Sequence, residues 1–279
     1  LTERASPPMD LAGTCAIITG GGSGIGRASA LSLARRGAAV IVADIAGNRA
    51  AETADLVEAA GGRARALAFD VAADPFEGLR DCALEAFGRI DVVMNNVGVL
   101  TNGRPEALPE EEWRRVIEIN LMSVVRSNLV FLPHLIAQGS GHLVNTASFA
   151  GLFTYAFDRL PYAACKAAIV QISEGLALYL KPQGIGVTVL CPGPVMTDIA
   201  ASSRSFGEPL PIHTPGPQFA PLGADVVGEQ VAEAIVHNRF MVPTHEQVRD
   251  LLVARAANWD AFIDDRIANP SVITRPPSR

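Results

Sequence analysis

Aromatic side chains are scarce, 6% of 279 residues, although 49% of the chain is hydrophobic. A core made of Ala, Val, Leu and Ile suits a parallel sheet covered by helices on both faces. Clusters of Lys and Arg are missing as well. With 23 basic and 29 acidic residues the formal charge is -6, which argues against a nucleic-acid surface. Cys15, Cys82, Cys165 and Cys191 lie far apart with no Cys-x-x-Cys pair, so buried free thiols in a reducing compartment are expected. The histidines (His134, His142, His213, His237, His245) have no close ligand spacing, and no metal is expected. No apolar run reaches the roughly 18 residues of a membrane span, and residues 1–10 contain no signal-type apolar stretch. Those ten residues read as a flexible arm on a cytoplasmic protein that uses no membrane.

Glycine, by contrast, is concentrated where it can do chemistry. Thr19-Gly20-Gly21-Gly22-Ser23-Gly24-Ile25-Gly26 follows the apolar run Cys15-Ala16-Ile17-Ile18 and leads into Arg27-Ala28-Ser29-Ala30-Leu31. A strand, a glycine turn and a helix N-terminus in succession bring bare amides and a positive dipole end to a pyrophosphate. The spacing is Gly-x-x-x-Gly-x-Gly, and the stricter Gly-x-Gly-x-x-Gly does not occur there. Gly20, Gly22, Ser23, Gly24, Ile25 and Gly26 are the candidate phosphate contacts.

Hydrophobic periodicity and turn residues predict strands at 15–19, 39–43, 64–69, 90–94, 142–146, 187–190 and 240–242. Helices are expected at 24–36, 48–60, 74–87, from 110 onward, and at 161–180, 225–238 and 247–267. Pro133 is expected to bend or end the helix that starts at 110. Alternation of this kind predicts an α/β fold, a Rossmann-type doubly wound parallel sheet of about seven strands with helices on both faces. Residues 11–269 form one domain in this reading. Within it, Pro209, Pro211, Pro215, Pro217 and Pro221 break the pattern and make 197–223 a lid. Residues 270–279 read as a frayed tail.

Candidate cofactor contacts fall at successive strand ends. Asp44, 18 residues after Gly26, can accept from both hydroxyls of an adenosine ribose and would repel a 2′-phosphate, favouring NAD over NADP. Arg27 is a possible phosphate partner that weakens this preference. Asp70 and Val71 close the third strand, where a carboxylate could meet the adenine amino group. In Asn95-Asn96-Val97-Gly98 a tight turn lets the backbone, with Asn96 and Gly98, approach the adenosine half.

Tyr162 and Lys166 stand four residues apart on one helix face. Tyrosine titrates near ~10, and a nearby cation, joined by an oxidised nicotinamide, favours the phenolate and makes Tyr162 a usable acid/base. The neighbouring pair Tyr155 and Arg159 is rejected as catalytic, because arginine is less suited to proton relay. Ser148, 14 residues before Tyr162, could donate to the substrate oxygen. Asn120, a polar residue in an apolar helix, needs partners. Two readings stay open for it, a water leading to Lys166 or neighbouring backbone.

Thr19 to Gly26, Asn95 to Gly98, Asn120, Ser148, Tyr162 with Lys166, and Pro192-Gly193-Pro194-Val195-Met196-Thr197 together resemble the short-chain dehydrogenase/reductase family, in order, over about residues 10–245. The resemblance implies hydride transfer on NAD(P) and a catalytic tetrad of Asn120, Ser148, Tyr162 and Lys166. It also implies nicotinamide contacts from Pro192, Gly193, Val195 (backbone to the carboxamide) and Thr197, and a tetramer or dimer paired through helices 110–137 and 161–180. Val97 stands where the family usually has alanine, and the Ser148–Tyr162 interval is long. Leu100, Thr101, Phe149 to Phe157 and the lid residues Phe206, Leu210, Ile212 and Phe219 are expected to wall the pocket, with His213 positioned to touch substrate. Those mostly apolar walls suggest a lipophilic secondary alcohol or ketone, hydroxysteroid- or terpenoid-like. A 3-oxoacyl reductase and an NAD-sensing regulator are the competing readings.

Overall fold

The computed structural model describes residues 9–273. Seven strands form its central sheet: β1 Cys15–Thr19, β2 Ala39–Asp44, β3 Arg63–Ala68, β4 Val92–Asn95, β5 Gly141–Thr146, β6 Ile185–Cys191 and β7 Met241–Pro243. All neighbours are parallel, in the order β3-β2-β1-β4-β5-β6-β7. The order reverses between β1 and β4, which leaves a crevice at the carboxyl ends of those strands.

Side-chain alternation divides the core between the two faces. Ala16 and Ile18 of β1 join Val40, Met94 and Leu190 beneath helices Gly24–Arg35, Gly47–Ala59 and Ala224–Val236. Cys15 and Ile17 face the other way, with Ile41, Val93, Leu143, Leu79 and Phe131. Each fully buried aliphatic or aromatic side chain contributes about 1.5–3 kcal/mol. Two helical stretches, Glu110–Gln138 and Leu160–Gln183, are long and apolar enough by length and composition to cross a membrane. Both pack on the sheet and carry candidate site residues.

The structure departs from the sequence-based expectations in identifiable places. Residues 90–91 are not strand; the Asp91 carboxylate instead accepts from the Cys15 amide at 2.8 Å and pairs with Arg89. Pro133 does not end its helix, which continues to Gln138. Phe131 and Leu135, both fully buried, supply packing that offsets the one lost backbone bond. The predicted helix 247–267 is two helices, Val248–Ala257 and Trp259–Ala268. Asn258 is extended, and its side chain caps the second by accepting from Ala261 N at 3.0 Å.

Residues 197–223, expected as a lid, are tied down at three points. Arg204–Phe206 pairs with Thr101–Gly103, Ile212–His213 with Val272–Ile273, and Leu222–Gly223 with Val195–Met196. Val272–Ile273 belongs to the stretch expected to be tail, whose residues 274–279 lie outside the described residues. Of the expected arm, residues 1–8 also lie outside them, and the Met9 amide donates to Val236 O at 2.8 Å.

Candidate active site

A cleft of about 640 Å³ opens at the crevice between β1 and β4. Its floor is the glycine turn. Gly20 and Gly24 have φ of +63° and +50°, the region that glycine enters without strain. A Cβ on Gly26 would stand 2.1 Å from the Gly20 carbonyl, and one on Gly22 would stand 2.8 Å from Asp44 Oδ2. Ser23 is the N-cap of Gly24–Arg35, and its side chain makes no capping bond. The first-turn amides are therefore left to a ligand, and an anion fits there.

Asp44, at the end of β2, accepts from the Gly22 amide at 2.9 Å and the Ala46 amide at 3.0 Å, and lines the cleft. Arg27 is engaged elsewhere: it donates to Gly22 O at 2.6 Å, to Thr53 Oγ1 at 2.9 Å and to Glu52 at 3.0 Å. The possible phosphate partner thus fastens the glycine turn to helix Gly47–Ala59. Asp70 holds its own turn, accepting from the Ala72 amide at 2.9 Å, and it lines the cleft with Val71. Asn96 ties three strands together. Its amide donates to Thr19 Oγ1 at 3.1 Å and Nδ2 to Gly20 O at 3.2 Å, while Oδ1 accepts from Thr146 Oγ1 at 3.3 Å.

The acid/base candidates meet on the β5 side. Ser148 caps the short turn Phe149–Leu152, its Oγ accepting from the Ala150 amide at 3.2 Å. Tyr162 is buried, and burial pushes its phenol up to about 12, with the Ser148 hydroxyl and the Arg159 guanidinium pulling the other way. The protein's own groups therefore leave the phenol high, and the expected lowering includes the charge of an oxidised nicotinamide. Lys166 Nζ lies 5.6 Å from the Tyr162 ring centroid and donates to Thr146 O at 2.7 Å. Burial lowers that ammonium to about 8, because the enclosed charge loses its hydration. Asn120 sits in a π-helical turn, Glu118–Met122, and is fully buried. Its Nδ2 donates to Val116 O at 3.0 Å and Val99 O at 3.1 Å, and Oδ1 accepts from Val99 N at 3.0 Å. Backbone is therefore its partner. A Cβ on Gly98 would meet Asn120 Oδ1 at 3.0 Å and Lys166 Nζ at 3.5 Å, so both side chains border the space above Gly98.

Pro192, Gly193, Val195 and Thr197 line the same cleft. The Gly193 amide donates to Thr244 Oγ1 at 2.9 Å, and a Cβ on Gly24 would meet Thr197 Cγ2 at 3.0 Å. Thr197 thus lies against the glycine turn. Leu100, Tyr155, Ile199, Ala201 and Arg159 also line the cleft. Several expected walls lie elsewhere. Thr101 is fully buried, Phe149 packs on Phe153, Phe219 and His245, and Phe206, Leu210 and Ile212 do not line the cleft. His213 Nδ1 donates to Asp158 Oδ2 at 3.0 Å, its ring meets Phe157 edge-on, and it does not line the cleft. Arg159 is the residue that sequence reasoning set aside. Its spacing from Tyr155 was visible, but its place depends on the lid contact of Asp158.

The short chain dehydrogenase family matches residues 14–207. A cyclohexanol dehydrogenase from Acinetobacter is 34% identical over 222 residues, covering 79% of this chain and 85% of that protein. The cis-4-hydroxycyclohexanecarboxylate dehydrogenase of Sinomonas cyclohexanicum is 36% identical over 222 residues, covering 79% and 86%. A short-chain dehydrogenase/reductase from Burkholderia phymatum, solved with NAD, superposes with a TM-score of 0.80 at 31% identity, covering 97% of this chain and all of that one. With the glycine cradle and the Tyr162–Lys166 helix on one cleft, this chain belongs to the short-chain dehydrogenase/reductases, oxidoreductases of the NAD-binding Rossmann fold that act on alcohol and ketone groups.

Proposed function

We propose that this enzyme is an NAD-dependent dehydrogenase that interconverts a secondary alcohol and a ketone on a lipophilic molecule, hydroxysteroid- or terpenoid-like. One observation carries the reading: Ser148, Tyr162 and Lys166 line the same cleft as the glycine cradle and Asp44. Bound NAD would supply the acceptor for the hydride that leaves the carbinol carbon. Gly20, Gly22, Ser23, Gly24, Ile25 and Gly26 would hold its pyrophosphate. Asp70, Val71, Asn96 and Gly98 would border the adenosine half, and Pro192, Gly193, Val195 and Thr197 the nicotinamide end. Asp44 favours NAD over NADP, because its carboxylate accepts ribose hydroxyls and repels a phosphate.

In oxidation, Ser148 donates to the substrate oxygen and fixes it beside Tyr162, whose phenolate takes the hydroxyl proton. Lys166, Arg159 and the positive charge of a bound oxidised nicotinamide would together oppose the burial that disfavours that phenolate. Asn120 holds the backbone at Val99 beside Lys166. Tyr162→Phe tests the assignment. Absorbance near 340 nm with NAD and secondary alcohols should fall by about 100-fold or more, the usual worth of a general acid/base, with NAD binding retained. Undiminished turnover would refute it.

Leu129, Leu178 and Tyr179 are exposed by 72%, 82% and 60% on helices Ser123–Gln138 and Leu160–Leu180. Those uncovered apolar side chains support a homotetramer or homodimer paired through these helices, which light scattering tests. A cytoplasmic location accords with the unpaired cysteines.

A further inference from the structure

Arg159 brings a buried guanidinium to the substrate end of the cleft, where the other walls are Leu100, Ile199, Ala201 and Tyr155. Its side chain is 13% exposed, and a charge so far from water needs a reason to be there. Nε donates to Asp158 Oδ1 at 2.8 Å and Nη2 to the His213 carbonyl at 3.2 Å. Those bonds use two of the five N–H groups a guanidinium carries. Asp158, 3% exposed, divides itself between Arg159 and His213, with Oδ2 3.0 Å from His213 Nδ1. The ion pair is thus made along the Nε side, and the counter-ion is shared. Tyr155 stacks against the guanidinium at 5.6 Å and is itself a cleft wall.

Anchoring residues 197–223 uses the bonds to Asp158 and to the His213 carbonyl, which leave Nη1 without a hydrogen-bond partner among the described residues. A guanidinium bordering the cleft beside Tyr162 does more, since its planar fork matches a carboxylate in two parallel bonds. We propose that the substrate carries a carboxylate remote from its carbinol carbon, and that Arg159, steadied by Asp158 and flanked by Tyr155, is the residue that binds it. The proposal rests on the dehydrogenase reading for the word substrate, and the acid-binding subsite stands on its own geometry. The ligand class is a lipophilic hydroxy acid, apolar along its body and anionic at one end.

The experiment compares free acids with their methyl esters, which match in shape and differ in charge. Hydroxycholanoate, a ring-hydroxylated cyclohexane acid and 9-hydroxydecanoate, each against its ester, are assayed with NAD for kcat/KM. In parallel, cyclohexaneacetate and its methyl ester are titrated calorimetrically into the protein. At least one acid should exceed its ester by about 10- to 100-fold, the range of a hydrogen bond to a charged group. Arg159→Leu should collapse that ratio to near one, and Arg159→Lys should retain part of it, because a point charge lacks the fork. A purely structural Arg159 would leave the ratio unmoved. Equal use and binding of acids and esters by the unmodified enzyme overturns the proposal even if Arg159→Leu fails to fold. Acid-selective binding that Arg159→Leu abolishes, with no alcohol oxidised, upholds the subsite and removes the dehydrogenase reading. Oxidation without acid preference does the reverse.

Discussion

Lys166→Met should yield a protein that is catalytically dead and more stable. Lys166 is 2% exposed and has one hydrogen-bond acceptor, Thr146 O at 2.7 Å. Burial lowers its ammonium from 10.5 to about 8. At pH 7 the lysine is charged in both folded and unfolded chains, and its lowered value means that the fold bears a cost of about 3 kcal/mol. Methionine removes the charge while keeping a similar shape, and forfeits about 1 kcal/mol with the bond to Thr146. The net gain at pH 7 is about 2 kcal/mol. As pH rises through 8 the folded protein releases this proton before the unfolded chain does, so the cost shrinks and is gone above 10.5. Urea unfolding at fixed protein concentration should therefore show the variant ahead at pH 7 and its advantage fading by pH 10. A variant less stable at pH 7, or an advantage independent of pH, would refute the reasoning.

Other substitutions probe the cofactor cradle. Asp44→Ala should raise the NADP-to-NAD ratio of kcat/KM by about tenfold or more, since it removes the charge that would repel a 2′-phosphate; an unchanged ratio counts against the ribose role. Gly26→Ala should abolish NAD binding or folding, because its methyl would lie 2.1 Å from the Gly20 carbonyl. Gly78→Ala is the contrast. Its Cβ would meet nothing within 4 Å inside helix Phe76–Phe87, and urea unfolding should show a gain of about 0.5–1 kcal/mol with unchanged turnover.

The site was legible in proportion to how locally it is built. The glycine turn, Asp44 and the Tyr162–Lys166 pair are specified by turn chemistry and helical spacing, which act over a few residues. Their convergence follows from strand alternation, because successive strand ends of a doubly wound sheet share one edge. Where the reading missed, a distant partner decided the outcome. His213 was expected in the pocket, but Asp158, 55 residues away, binds it outside the cleft lining. Arg159 was set aside as a poor proton-relay partner, yet it lines the cleft, paired with the same Asp158.

The sequence by itself therefore determined the order of strands and helices, the glycine turn and the one-face spacing of Tyr162 and Lys166, since each is written in short-range pattern. Only the tertiary structure decided how residues 197–223 are pinned, that Arg159 lines the cleft, and how deeply Tyr162 and Lys166 are buried. Those properties depend on how completely water is excluded and on which remote groups supply hydrogen bonds, and neither is encoded in any one stretch of chain.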